Sequence, residues 1–274
     1  MSEADSKKSK NSSDRSVIVE KRGEVAVVWI ARPDYRNAVD RNTAQELLHS
    51  FEALDKDKTV LAMVLAGRGG TFCSGADLRA VAEGRGNVVT VDGPGPMGPT
   101  RLMTLKPVLA AIEGYAVAGG LELALWCDIR VAARNSVLGV FNRRWGVPLV
   151  DGGTVRLPRL IGLGRALDLI LTGRPVGAEE AHRIGLVEYL TEPGEAVSTA
   201  VALAHRIAGF PQESLRHDRL STYEQAGLGI DEALRNEARH GLEALRTGEA
   251  IKGAMAFVKG AGRHGTFEGF GSAP

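Results

Sequence analysis

Residues 106–128 read KPVLAAIEGYAVAGGLELALWCD and hold the pattern from which the fold can be inferred. It joins a short apolar run, Pro107–Ile112, to a second apolar segment, Leu121–Trp126, through a turn that contains Gly119 and Gly120. A short, fully apolar run with β-branched members is typical of a buried strand. Glycine supplies the backbone angles that a tight connection needs. The stretch therefore predicts a strand that passes through a glycine turn into a helix.

Residues 60–78, VLAMVLAGRGGTFCSGADL, repeat this arrangement. A strand at Val60–Leu65 leads into a glycine-rich turn, and a short helix is predicted from about Asp77. Helix N-termini present unpaired N–H groups and a dipole that favours negative charge. Two such turns side by side would direct two N–H groups at one place and form an oxyanion hole. The alternative is that both turns are ordinary connections, which are rich in glycine in any case.

The rest of the chain continues the alternation of strands and helices and then becomes helical. Apolar periodicity predicts strands at Val25–Ile30, Ile129–Ala133 and near Leu186–Leu190, and helices at Thr43–Asp55, Arg165–Leu171, Ala178–Ile184, Glu195–Ala208, Pro211–Ala226, Asp231–Leu245 and Glu249–Lys259. The alternation predicts an α/β fold with mostly parallel strands. Residues 84–100 contain five glycines and three prolines, which is typical of a long lid or binding loop.

Composition divides the chain and excludes several classes of protein. We expect a disordered tail at 1–16, a core at 17–200 and a helical region at 201–274 that covers the core or joins subunits. The 34 basic and 33 acidic side chains leave a net charge of +1, with no basic footprint for nucleic acid or an anionic membrane. Two cysteines without a CxxC pair argue against a disulfide scaffold and a zinc site. With no long apolar run and no signal-like start, a soluble, cytoplasmic protein is expected.

The two glycine-containing segments, at 72–78 and 106–128, resemble the signature segments of the crotonase (enoyl-CoA hydratase/isomerase) superfamily. The resemblance extends from about Val17 to Phe267. It implies a spiral of ββα units with a C-terminal helical region, assembled as trimers or dimers of trimers. It also implies an enzyme that acts on an acyl-CoA thioester, with CoA arriving as part of the substrate and with no redox cofactor or metal.

The resemblance also implies roles for individual residues. The backbone N–H groups of Ala76 and Gly119 would hold the thioester oxygen, and Glu122 matches one of the two catalytic glutamates of the hydratases. The substrate-binding residues implied are Arg36, Ala38, Ser74, Asp77, Leu78 and Phe257. Of these, the turn at 36–38 would contact CoA through its backbone, and Phe257 would help to close the CoA site.

The carboxylates decide which reaction is expected. Glu122 lies in an otherwise apolar helix, where an unpaired carboxylate is costly; an ion pair with an arginine is the alternative to catalysis. The alignment places Asn142 where hydratases carry their second glutamate, and an amide cannot exchange protons near neutral pH. Asp151, nine residues on, resembles a catalytic aspartate of dienoyl-CoA isomerases and 4-chlorobenzoyl-CoA dehalogenases. It would equally suit an N-cap before Gly152. Asp92, in the loop, is a further candidate.

The expected activity is therefore that of an enoyl-CoA hydratase-like enzyme that passes through an enolate-type intermediate. The alternatives within the family are an enoyl-CoA isomerase, or a hydrolase or dehalogenase that uses Asp151. The alternative from another class is a non-catalytic protein that binds acyl-CoA. Because Asn142 departs from the hydratase pattern, it is the residue that keeps these alternatives open.

Overall fold

The computed structural model describes residues 15–262 and residue 265, and in this part of the chain two β-sheets are surrounded by helices. The strands are β1 (Val17–Arg22), β2 (Val25–Ile30), β3 (Ala62–Gly67), β4 (Val108–Ile112), β5 (Tyr115–Val117), β6 (Ile129–Ala133), β7 (Val137–Gly139), β8 (Val176–Gly177) and β9 (Tyr189–Thr191). The helices are α1 (Arg41–Lys56), α2 (Leu78–Ala82), α3 (Gly119–Trp126), α4 (Gly153–Ile161), α5 (Leu163–Thr172), α6 (Ala178–Arg183), α7 (Ala196–Ala208), α8 (Gln212–Glu224), α9 (Ile230–Arg246) and α10 (Glu249–Val258).

The larger sheet has the order β1-β2-β3-β4-β6-β9. The β1–β2 pair is antiparallel and every other neighbouring pair is parallel. A smaller sheet has the order β5-β7-β8, with β5 and β7 parallel. The prediction of an α/β fold with mostly parallel strands is confirmed.

The central strands are apolar on both faces because each face packs against its own layer of helices. Val28, Leu65 and Ala110 point into one hydrophobic cluster, which also contains side chains of α1 and α3. Their neighbours in the strands point to the opposite face and pack against α7, because successive side chains of a strand alternate between faces. A sheet covered on both sides explains why its strands carry continuous apolar runs.

The C-terminal helices differ from this core. The chain boundary predicted at residue 200 falls inside α7, and both halves of that helix contribute alanines to the cluster beneath the sheet. Helices α8, α9 and α10 contact one another, and α8 reaches the core through Arg219 and Tyr223, which both bond to Asp128. The division at 200 stays a prediction. The tail predicted at 1–16 lies almost wholly outside the described residues.

Several short elements were not predicted. Strands β1, β5, β7 and β8 and helix α4 were not predicted, and α3 begins two residues before its predicted start. Strands of two or three residues, such as β5, β7 and β8, are too short to show a period, and the six-residue β1 ends in the charged run Glu20–Arg22. Helix α4 begins with a glycine pair and contains Pro158, so its sequence carries contrary signals. No helix of the described residues is long and apolar enough to span a membrane.

Candidate active site

A cavity of about 440 Å³ lies between the two glycine turns, the loop at 84–98 and the segment 141–151. Six of the residues singled out in the sequence lie on one surface. Ser74, Ala76, Leu78, Gly119, Glu122 and Asp151 all border this cavity. Most of the remaining wall is apolar, and such a wall with few polar groups is typical of a ligand site.

The two glycine turns touch directly. A Cβ atom on Gly75 would lie 2.9 Å from the Cβ of Ala118 and 3.0 Å from the nitrogen of Gly119, so only glycine fits there. Gly120 in turn lies against the carbonyl of Cys73. Ala118 adopts a φ of 53°, a left-handed conformation that is costly for alanine. Backbone strain at this point is consistent with a functional turn.

The contact leaves two N–H groups at the cavity wall. Ala76 forms a parallel bridge with Val39, in which the flanking groups, the carbonyl of Gly75 and the N–H of Asp77, bond to Val39. The N–H of Ala76 therefore points away from this bridge. Gly119 is the first residue of α3, where an N–H has no acceptor within the helix. Among the described residues, neither N–H donates to a backbone acceptor.

Glu122 is almost fully buried, with 3% of its surface exposed. Its Oε1 accepts hydrogen bonds from the N–H of Asp151 at 2.9 Å and of Gly153 at 2.8 Å, so the carboxylate lies at the N-terminus of α4. Burial, reinforced by the nearby charge of Asp151, raises the pKa of Glu122 to about 7. The two backbone bonds and the charge of Arg156 oppose this rise. Glu122 forms no ion pair with an arginine side chain among the described residues, so the structural alternative is not supported.

Asp151 is the second buried carboxylate of the cavity, with 2% of its surface exposed. Its Oδ1 accepts bonds from the N–H of Met97, at 2.8 Å, and from the hydroxyl of Thr100. The N-cap interpretation is wrong, because Gly152 occupies the N-cap position of α4 and the Asp151 carboxylate bonds to Met97 and Thr100 instead of to the first turn of that helix. Burial raises the pKa of Asp151, although the Thr100 and Met97 bonds and two arginines oppose the rise.

Asn142 also borders the cavity, in a short 3₁₀ helix. Its Nδ2 donates to the carbonyl of Val147 at 2.8 Å, and its buried Oδ1 has no hydrogen-bond partner among the described residues. The amide thus offers one acceptor where the hydratase pattern would provide a carboxylate. Among the described residues, Glu122 and Asp151 are the two acidic side chains that border this cavity.

Four of the predicted substrate-binding residues do not border the cavity. The carbonyl of Arg36 accepts a bond from the N–H of Ser74 at 3.2 Å, which places the turn at 36–38, with Ala38, next to the cavity wall. The side chain of Asp77 instead caps α2 and pairs with Arg32. Phe257 lies on α10 with 58% of its surface exposed. Asp92 is also exposed, in the loop.

Three residues around the carboxylates were not predicted from the sequence. Met97 and Thr100 bond to Asp151, and Arg156 bonds to the carbonyl oxygens of Asp151 and Thr100. The sequence holds no signal for these contacts, since 54 and 51 residues separate Met97 and Thr100 from Asp151. No group of His, Cys, Asp and Glu suited to a metal ion occurs among the described residues.

Comparison with known proteins assigns the chain to a family. The model of the enoyl-CoA hydratase/isomerase family matches residues 20–260. A short-chain-enoyl-CoA hydratase of Clostridium acetobutylicum is 36% identical over 251 residues, which cover 89% of this chain and 95% of that protein. A crotonyl-CoA hydratase of Syntrophomonas wolfei is 33% identical and covers the chain to the same extent.

Solved structures agree with this assignment. The crystal structure of the enoyl-CoA hydratase EchA1 from Mycobacterium marinum has a TM-score of 0.84 and 36% identity to this chain. The match covers 89% of this chain and 96% of that one.

Proposed function

The chain belongs to the enoyl-CoA hydratase/isomerase family, and we propose that it adds water across the double bond of a 2-enoyl-CoA thioester. The resemblance to the crotonase superfamily and the crotonase-like fold are confirmed. One observation supports the reaction above all others. Two buried carboxylates, and two backbone N–H groups that have no acceptor among the described residues, border a single, largely apolar cavity.

The backbone groups would bind the thioester. The N–H groups of Ala76 and Gly119 donate to the thioester carbonyl oxygen, which gains negative charge when a nucleophile adds to the conjugated double bond. Donors fixed in a strand–turn–helix connection need not reorganise as this charge develops, so they stabilise the enolate more than the substrate. The electron pair of the double bond is thereby accommodated on the oxygen.

The carboxylates would move the protons. Asp151 accepts a proton from water while the water oxygen bonds to C3, and the C2=C3 electron pair shifts to form the enolate. Glu122, with its pKa raised to about 7, then donates its proton to C2, and the thioester carbonyl re-forms. Water is consumed, and transfer of a proton from Asp151 back to Glu122 restores the starting state.

The test is the loss of enoyl-thioester absorbance with crotonyl-CoA. Each of the variants Glu122→Gln and Asp151→Asn keeps an oxygen that can accept the present backbone bonds, so the local geometry is retained. Each lacks the carboxyl group, so proton exchange at that position is lost. We expect turnover to fall roughly 10²–10⁴-fold in each. Glu83→Gln, at the exposed end of α2, is the control and should retain full activity. Full activity of both site variants would overturn these roles.

Isomerisation is the second candidate, and the amide at Asn142 is the observation that favours it. Moving a double bond needs one group to carry a proton between two carbons, and it needs no water. A 3-enoyl-CoA substrate distinguishes the two reactions. Conversion of the 3-enoyl-CoA to the 2-enoyl-CoA, with no hydration of crotonyl-CoA, would replace the hydratase proposal. Release of free CoA thiol would instead indicate a hydrolase, and binding without turnover would indicate a non-catalytic protein.

We also propose a homo-oligomer, a trimer or a dimer of trimers, and a cytoplasmic location. Large apolar side chains are exposed on α9 and α10, at Leu234, Leu242, Leu245, Ile251 and Met255. Such a surface supports association with further copies. Both cysteines are free and buried, which suits a reducing compartment. Light scattering after size-exclusion chromatography measures the oligomeric state.

A Phe257→Ala variant tests the role in substrate binding predicted for Phe257. We expect this variant to have a raised KM.

A further inference from the structure

Arg156 approaches the carboxylates from outside the substrate cavity. A second cavity, of about 850 Å³, is lined by Thr100, Gly152 and Arg156, among others. Val150 borders both cavities, so the segment 150–152 is the wall between them. Arg156 borders only the second cavity and would not touch a substrate held in the first. Its action on the reaction would have to pass through Asp151.

The guanidinium of Arg156 joins two distant segments. Its Nη1 donates to the carbonyl of Asp151 at 2.9 Å, and its Nη2 donates to the carbonyl of Thr100 at 2.7 Å. The hydroxyl of Thr100 donates to the Asp151 carboxylate. Three residues thus form a closed ring of hydrogen bonds. The ring requires Gly152, because a Cβ atom at that position would collide with Nη1 of Arg156.

The same guanidinium places a positive charge near the two buried carboxyl groups, those of Glu122 and Asp151. Glu122 and Asp151 repel each other, and burial disfavours the charged form of both. Arg156 lowers the pKa of each carboxyl, and Arg101 contributes in the same direction at Asp151. Arg101 also donates to backbone carbonyls of the exposed loop at Thr90 and Val91. Arg156 is the cation common to both carboxylates.

We propose that Arg156 is a positioning residue: from the second cavity it holds Asp151 against Thr100 and supplies the positive charge that keeps one of the two buried carboxyl groups ionised. The inference rests on the proposed function, since it matters only if these two groups exchange protons with a substrate. It predicts that the reaction depends on a charge that the substrate never contacts.

Chemical rescue tests the charge. Arg156→Ala leaves a space open to the second cavity, into which guanidinium ion, at on the order of 10 mM and far below denaturing concentrations, can diffuse. We expect the variant to lose roughly 10–100-fold in kcat, with a much smaller change in KM, because misplacement of a reacting group lowers the rate rather than the affinity. Guanidinium should restore much of the loss. Urea, which has the same shape without the charge, should not.

Arg159→Ala is the matched control. Arg159 lies on the same helix, is exposed, and borders the same cavity. We expect its removal to leave kcat, KM and the pH profile unchanged. If Arg159→Ala lowers kcat as much as Arg156→Ala, or if urea rescues Arg156→Ala as well as guanidinium does, the proposal is wrong.

A second readout does not depend on turnover. Carbon-13 NMR of labelled carboxyl groups, assigned with Glu122→Gln and Asp151→Asn, follows both titrations. In Arg156→Ala both should titrate at higher pH than in the wild type, and guanidinium should reverse the shift. A shift without hydration by the wild type would support the role of Arg156 and contradict the proposed function. Hydration by the wild type without a shift in the variant would overturn only the role of Arg156.

Arg156→Lys is the variant to use if the alanine variant does not fold. It keeps the charge and loses one of the two bonds to the backbone. We expect a reduced kcat with an unchanged pH profile. A displaced profile, or a kcat equal to that of the wild type, would contradict the proposal.

Discussion

The two sides of the substrate cavity are built in different ways. On one side, the N–H groups of Ala76 and Gly119 come from the backbone of two strand-to-helix connections. On the other side, Glu122 and Asp151 are held by contacts among the ends of α3 and α4 and the loop near Thr100. Where a site is made from backbone groups, its geometry is specified by the local sequence, through the positions of the glycines. Where a site is made from side chains, its geometry depends on contacts between distant segments.

A large loss of activity is expected where the backbone side is broken. In Gly75→Ala, the new methyl group would press on Ala118 and Gly119, and the residue would have to keep a φ of 100°. We expect kcat to fall roughly 10²–10³-fold, as when an oxyanion-hole donor is lost. Steady-state kinetics with crotonyl-CoA measure this.

Gly194→Ala is the matched control for Gly75→Ala. Gly194 has a similar φ of 91°, and nothing lies within 4 Å of the position of its new methyl group. Its substitution should cost stability alone, on the order of 1–3 kcal/mol, with kcat preserved. Equal losses of kcat in the two variants would show that backbone strain, and not the contact between the turns, controls the rate.

The carboxylate side can be tested through the pH dependence of stability. The folded protein raises the pKa of Glu122 from 4.5 to about 7, so between these values the folded state binds more protons than the unfolded state. The free energy of unfolding should therefore fall as the pH rises from about 4.5 to 7, by on the order of 1–3 kcal/mol. Urea unfolding across this range, at one protein concentration, measures the slope.

Glu122→Gln isolates the contribution of this residue. The variant cannot titrate at position 122, so its free energy of unfolding should depend less on pH than that of the wild type. Parallel curves for the two proteins would mean that Glu122 titrates normally in the folded state. In that case the assignment of Glu122 as the proton donor would fail as well.

The smallest effect is expected when one support of the carboxylate side is removed. Thr100→Val deletes the hydroxyl that donates to Asp151. A single hydrogen bond contributes about 0.5–1.5 kcal/mol. If the transition state loses that much stabilisation, kcat should fall roughly 2–12-fold. The acidic limb of the pH–rate profile should move to higher pH, because ionised Asp151 loses a donor.

Thr104→Val provides the control for this change. The Thr104 hydroxyl is also buried, but it donates to the carbonyl of Lys106, at 2.8 Å, and not to Asp151. Thermal unfolding should report similar losses for the two variants, while only Thr100→Val lowers kcat. A rate change in Thr104→Val would indicate a general response to destabilisation.

Part of this site was predictable from the sequence, and the reason is local. Gly119 and Glu122 lie three residues apart within one turn of α3, so their relation is fixed by helix geometry. Ala76 follows a strand whose apolar run was evident, and the resemblance to a known family placed it beside Gly119. The position of Asp151 in the cavity was predicted with an alternative, the N-cap, which the structure does not support.

The α/β class, most of the longer helices and strands, the glycine turns and the identity of the buried carboxylate in α3 can be inferred from the amino-acid sequence alone. These follow from short-range rules, namely apolar periodicity, the backbone freedom of glycine and the spacing of residues on a helix. The bonds of the Asp151 carboxylate to Met97 and Thr100, and the link that Arg156 makes between the segments of Asp151 and Thr100, become visible only in the folded chain. Contacts between segments far apart in the chain arise when packing excludes water and every buried polar group needs a partner, and no local pattern encodes which partner it finds.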